Sequence, residues 1–160
     1  MRRWIPLTVL ALLLGLMVLL HWAAPSGKLL RHPITYLGAL PVLIGAIIGA
    51  LGLHQLLKAR TTVKAFHQPD RLVSDGIFRY TRNPIYLGAV LILSGACILM
   101  GVHCLLIPAA IFMIIAGRWF VRVEEGMLAR KFGKAWEEYR ARTPRWISIG
   151  ILASPGGEPT

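Results

Sequence analysis

Residues 84–121 form a run of 38 residues with one formal charge, Arg118. A stretch that long exceeds the ~20 apolar residues that carry a helix across ~30 Å of hydrocarbon. Gly101-Val102-His103-Cys104 lies at its midpoint, leaving arms 84–100 and 105–121 of seventeen residues each. Each arm rises ~25 Å as a helix, a length that anchors or local thinning of the bilayer accommodate. The run therefore reads as a tight helical hairpin. Two more apolar stretches precede it. Residues 4–24 carry no formal charge, and their core is longer than the ~7–15 residues of a signal sequence, with no A-x-A site after it. They read as a retained span. Residues 34–57 make the second span, with Gly45-x-x-x-Gly49 as a spacing that admits a close helix contact and, weakly, a homodimer.

Composition agrees with four spans. The chain is 56% apolar and 16% charged, against a usual ~25% charged, which excludes a soluble enzyme and a disordered chain. The net charge of +11 invites a nucleic-acid partner, but so apolar a chain has little polar surface for a basic groove. The basic residues are instead sorted along the chain. Two precede the first span, two lie between spans one and two, six fall in the connector 58–83, none at the hairpin tip, and eight from Arg118 onward. Four spans with both termini inside place 2 + 6 + 8 = 16 of them on the cytoplasmic side and two outside, as the positive-inside rule requires.

The expectation is thus an all-α, polytopic protein of a single membrane domain. It holds two N-terminal spans within 1–57, a surface connector 58–83, a hairpin 84–121, an interfacial helix 122–147 and a tail 148–160. Phe132, Trp136 and Tyr139 recur at helical spacing among charges, which suits an amphipathic helix in the interface. Cys97 and Cys104 fit no metal or redox spacing and read as buried thiols. The five His show no close ligand spacing, so no metal is expected.

An antiparallel hairpin of equal arms brings residues whose numbers sum to about 205 to one depth, as its midpoint in the sequence dictates. The segment from Arg79 to Tyr86, with Arg82, Asn83 and Pro84 inside it, then faces Arg122, Val123, Glu124 and Glu125. Singly, each has a structural reading: Asn83-Pro84 as a helix start, the arginines as headgroup anchors, and the glutamates as a solvated face. Together they have a chemical one. A helix N-terminus and Arg82 suit a carboxylate. Glu124 or Glu125 suits an ammonium, a ribose diol or a sulfonium, and the face of Tyr86 suits a cation. These are the features of S-adenosylmethionine, beside a wall open to lipid.

At these residues the sequence resembles the isoprenylcysteine carboxyl methyltransferase and phospholipid N-methyltransferase superfamily of integral membrane enzymes. The resemblance runs from Leu72 to Ile147 through LVSDGIFRYTRNPIYLG, an apolar hairpin, VEEGMLARKFGKAWEEY and Pro144-Arg145-Trp146-Ile147. It implies methyl transfer from S-adenosylmethionine to a lipophilic or amphiphilic acceptor, such as an isoprenylcysteine carboxylate or a phospholipid amine. The implied site faces the cytoplasm from the inner membrane. Arg82, Asn83, Pro84, Tyr86 and Gly88 would form the first cofactor motif and Glu124 and Glu125 the second, with Arg82 and Glu125 as the catalytic pair. Isoprenylcysteine enzymes generally have His where Asn83 stands, and the Asn form is similar to the broader bacterial branch and the lipid methyltransferases. Two other readings stay open. Membrane sterol reductases using NADPH resemble the C-terminal part, although they tend to carry an acidic residue where Ala89 follows Tyr86-Leu87-Gly88. A non-catalytic scaffold would use the same residues for capping and anchoring alone.

Overall fold

The computed structural model describes residues 5–23, 33–61, 69–101 and 106–147. Its described residues are helical or irregular, and four apolar helices dominate. These are α1 (Ile5–Ala23), α2 (Ala39–Lys58, entered through a 3₁₀ turn Ile34–Gly38), α3 (Pro84–Met100) and α4 (Leu106–Phe132). A short α5 (Lys134–Arg142) follows. The chain is an all-helical, polytopic membrane protein, and large apolar side chains such as Leu12, Leu19, Leu43, Ile47, Ile107 and Ile114 stand on its outside, where lipid covers them.

The helix limits follow from local chemistry. Pro84 opens α3, where its missing N–H costs nothing, and Gly101 closes it in the left-handed region (φ 73°). The remainder of the expected hairpin tip, Val102, His103 and Cys104, lies outside the described residues, as does the tail 148–160. The two arms nevertheless return at the expected depth. Tyr86 stacks against Phe120 with ring centroids 6.1 Å apart, and Arg82 meets Glu125.

Glycines set the packing of α2 on α3. Gly38, which ends the 3₁₀ turn, and Gly45 and Gly52 of α2 recur every seven residues and oppose Gly95, Gly88 and Pro84 of the antiparallel α3. A Cβ added at Gly45 would lie 2.6 Å from the Gly88 carbonyl oxygen, and one at Gly38 2.5 Å from that of Gly95. The Gly45-x-x-x-Gly49 spacing, read as a weak signal for a homodimer, is thus half consumed within the chain: Gly45 packs against its own α3. α1 lies on the other side, its fully buried Met17 in one cluster with Leu93, Cys97, Phe112 and Phe120. α2 and α1 so flank α3 and leave a groove between them.

Two expectations need correction. The hairpin's second arm does not stop near Val121. Its helix continues to Phe132 through a π-helical turn at Ala116–Phe120, and only Gly133, with φ 48° and ψ −120°, breaks it. The expected interfacial helix over 122–147 is therefore divided, since one extra glycine conformer outweighs the continuous spacing of aromatics. Nor do Trp136 and Tyr139 face lipid. They are buried with Phe78 in a second, smaller cluster under the connector, and the Tyr139 hydroxyl donates to the Phe78 carbonyl at 2.8 Å.

Candidate active site

The polar end of α3 and the polar end of α4 meet beneath a strap, residues 143–146, that follows α5. The strap is stitched to the loop carrying Arg82 and Asn83 by main-chain acceptors. Arg82 N–H donates to the Pro144 carbonyl at 3.0 Å. The Thr81 hydroxyl and the Asn83 amide both donate to the Arg145 carbonyl, at 3.2 and 3.0 Å. Asn83 thus occupies the N-cap position without capping the helix through its side chain. Its amide holds the strap instead.

The two adjacent glutamates have different surroundings. Glu124 accepts a hydrogen bond from the Tyr86 hydroxyl at 2.8 Å. Glu125 is clamped between two guanidinium groups, with Arg145 Nε 3.1 Å from Oε1 and its Nη2 on Oε2, and Arg82 Nη1 3.0 Å from Oε1. The Arg82 side chain is only 9% exposed, and its planar group lies over the Trp136 ring, 5.4 Å from the centroid, a cation–π arrangement. Neither Arg82 Nε nor Nη1 has a hydrogen-bond acceptor among the described residues; the approach of Nη1 to Glu125 has ion-pair distance without hydrogen-bond direction. Burial pushes Arg82 below its ordinary pKa while Glu125 opposes the shift. The hydrogen bonds to Glu125 hold Arg145 above its own, and burial raises Tyr139. Two cations share one carboxylate. The cluster is one anion short, and its spare donors are already dehydrated.

Arg82, Tyr86, Glu124 and Glu125 form one end of a cavity of about 520 Å³. Of the residues singled out in the sequence, Arg82, Asn83, Tyr86, Gly88, Glu124 and Glu125 line it. Pro84 does not; it is buried against Gly52. Gly88 touches α2 through its backbone as well as bordering the cavity. Arg79, Tyr80, Arg122 and Val123, from the same two segments, are exposed. Trp136 and Tyr139 join the wall and Arg145 completes the charge cluster, three residues that sequence reasoning did not place there. Their signal was the resemblance itself, which extends through KAWEEY and Pro144-Arg145-Trp146. The remaining walls are mostly apolar and come from α1 (Pro6, Leu7, Leu10), α2 (Gly45 to Leu56), the floor residues Ile92 and Phe112, and the connector, which adds Leu72 and Val73 together with the polar Thr61 and Arg71. The π-helical turn sits one helical turn before Glu124, and the extra residue it inserts re-aims everything after it.

The arrangement suits S-adenosylmethionine. Arg82 has unused donors for a carboxylate, Glu124 offers an acceptor for an ammonium or a ribose diol, and the cavity lies within the ~300–1,000 Å³ of small-molecule sites.

Comparison with known proteins gives the same neighbourhood. The phospholipid methyltransferase family model matches residues 33–135, from the start of α2 into α5. Protein-S-isoprenylcysteine O-methyltransferase of Schizosaccharomyces pombe is 31% identical over 81 residues, which are 49% of this chain and 33% of that protein. Probable protein-S-isoprenylcysteine O-methyltransferase of Oryza sativa, in both the indica and japonica subspecies, is 28% identical over 111 residues, 66% of this chain and 56% of that protein. The matches thus span about a third to just over half the length of these relatives. No solved structure matches the chain significantly. With nearly two thirds of its length under the family model, including both glutamates and the whole Arg-Asn-Pro segment, the chain belongs to the phospholipid methyltransferase family.

Proposed function

We propose that this protein transfers a methyl group from S-adenosylmethionine to a lipophilic or amphiphilic acceptor that reaches the site from the bilayer. The observation that carries the reading is the cavity's polarity. Buried Arg82 and Glu125, with Arg145 behind them, close one end with one anion too few, and largely apolar walls from α1 and α2 make most of the rest. When bound, the cofactor supplies a methyl group already activated on a sulfonium. What remains for the protein is to hold donor and acceptor in line, and positioning alone is worth ~7–11 kcal/mol of barrier in favourable cases.

Arg82 binds the cofactor's carboxylate or orients an acidic acceptor. Glu125 keeps Arg82 in place and, fully engaged by two arginines, is better suited to positioning than to proton transfer. Glu124, held by Tyr86, accepts from an ammonium or a ribose hydroxyl. A carboxylate acceptor needs no base, whereas an amine must first lose a proton, and Glu124 is then the nearest carboxylate without a cation on it. The sorting of basic residues supports a cytoplasmic-facing site in an inner membrane. The isoprenylcysteine O-methyltransferase relatives support a lipid-modified acceptor.

The test is direct. Detergent-purified protein should bind S-adenosylmethionine saturably and, given the methyl-labelled cofactor and a total lipid extract, should place label on an organic-soluble product identified by mass spectrometry. Saturable binding of NADPH without S-adenosylmethionine would overturn the reading, as would binding of neither.

A further inference from the structure

We infer that Gly49 is a specificity-determining position, whose missing side chain keeps open the path of a single apolar acceptor chain through the cavity. The inference rests on the proposed methyl transfer and adds the shape of the acceptor to it. Gly49 lies on the cavity wall, with Ala46 and Ala50 beside it on α2. It is level with Gly88, whose added Cβ would come within 3.2 Å of the Gly49 Cα. That depth is midway between the charge cluster and the floor at Ile92 and Phe112. The other glycines of this helix face are closed: a Cβ at Gly45 or Gly52 strikes α3, whereas one at Gly49 meets nothing within 4 Å. The fold therefore tolerates a side chain at Gly49, and the space it would fill belongs to the cavity.

Two further features define the occupant. Arg82, nine-tenths buried, has no hydrogen-bond acceptor at Nε or at Nη1, the latter in ion-pair contact with Glu125, and so favours an anionic or carboxylate-bearing group at the polar end. From Ile85 to Ile92 the cavity descends seven residues of α3, or about 10 Å. A volume of about 520 Å³ is that of one drug-sized ligand. Once a cofactor fills the polar end, the remainder admits one chain of limited length and not the paired chains of a diacyl lipid. Any surplus length leaves sideways between α1 and α2.

The experiment uses the full chain in detergent and native mass spectrometry. It is titrated with straight-chain alkyl carboxylates of graded length, with a two-chain phosphatidic acid for comparison, and with S-adenosylmethionine in parallel. Wild type should prefer the longer single chains over both the shortest carboxylate and the two-chain lipid. Gly49→Leu should weaken the long chains at least about tenfold and leave the shortest carboxylate, S-adenosylmethionine and the melting temperature unchanged, with Gly49→Ala between. Gly15→Leu is the control. Gly15 is an exposed glycine of α1 whose added Cβ also meets nothing within 4 Å, and it is not on the cavity wall, so binding should stay at wild-type strength. The inference falls if Gly49→Leu keeps long-chain affinity, if it weakens short and long chains alike, or if wild type shows no preference for chain length or number. Loss of S-adenosylmethionine binding in wild type with graded chain binding intact would reject methyl transfer and leave the gauge standing. The reverse result would reject the gauge alone.

Discussion

Glu124 and Glu125 are neighbours in sequence with opposite surroundings, and this difference can be measured. Removing the charge at Glu125 leaves Arg82 and Arg145 facing each other with no anion between them, so Glu125→Gln should lower stability by about 1–3 kcal/mol and weaken S-adenosylmethionine as well. Glu124→Gln keeps an oxygen for the Tyr86 hydroxyl to donate to. It should leave the fold within ~0.5 kcal/mol of wild type and weaken the cofactor about tenfold, as expected for the loss of one charge-assisted contact. Unfolding in detergent and calorimetric titration of the same two variants separate the roles; equal effects on both quantities would refute the division. At this scale the sequence was informative where residues are close along a helix. The hairpin's symmetry by itself puts Arg82 and Tyr86 at the depth of the glutamates. Arg145 escaped because it lies in an irregular strap, where no periodicity reports which way a side chain points. The hydrogen bonds that orient it reach back some sixty residues, to Thr81 and Asn83.

Between elements, close approach of backbones does the work that large side chains do in a soluble core. Lipid chains are as apolar as leucine, so α2 and α3 gain from association chiefly through contact, and contact is best where Gly38, Gly45 and Gly95 remove the side chains. Gly45→Leu should therefore cost at least about 1–3 kcal/mol, because the atom it strikes is the Gly88 carbonyl oxygen and not a side chain able to swing away. The same substitution at Gly49 should be nearly silent in stability. A denaturation midpoint unchanged by Gly45→Leu would show that α2 does not pack on α3 in this register. The four apolar helices were legible from length and charge. The seven-residue spacing of Gly38, Gly45 and Gly52 was present too, but it acquires meaning only once α3 is known to lie antiparallel on that face. The division at Gly133 was hidden for a related reason. Helical spacing of Phe132, Trp136 and Tyr139 survives a one-residue break, so periodicity continued across a point where the chain turns to bury Trp136 and Tyr139 against Phe78.

For the whole molecule, the decisive quantity is which ends of the helices share a side of the membrane. α2 runs antiparallel to α3 and α4 runs back beside it, so Tyr80, before α3, and Ala129, near the end of α4, belong to one side, with Ile34, before α2, on the other. All three are exposed. The charges predict which side is inside: on the four-span reading of the sequence 16 basic residues fall on the side of the first pair and two on the opposite face, and cytoplasmic retention of Lys and Arg is the bias that orients such chains. In a background with Cys97→Ala and Cys104→Ser, Tyr80→Cys and Ala129→Cys should react with a membrane-impermeant thiol reagent only after the cytoplasmic face is opened, and Ile34→Cys from the outer face of intact cells. Labelling of all three with the sides exchanged would keep the cavity and move its polar end to the wrong compartment for cytoplasmic S-adenosylmethionine. Labelling of Tyr80→Cys and Ala129→Cys from different sides would separate Arg82 from Glu125 and abolish the cavity altogether. The local charge cluster thus depends on an arrangement no single residue determines: the bilayer fixes the length of each crossing, the basic residues fix its direction, and only then do two polar segments about forty positions apart meet at one depth.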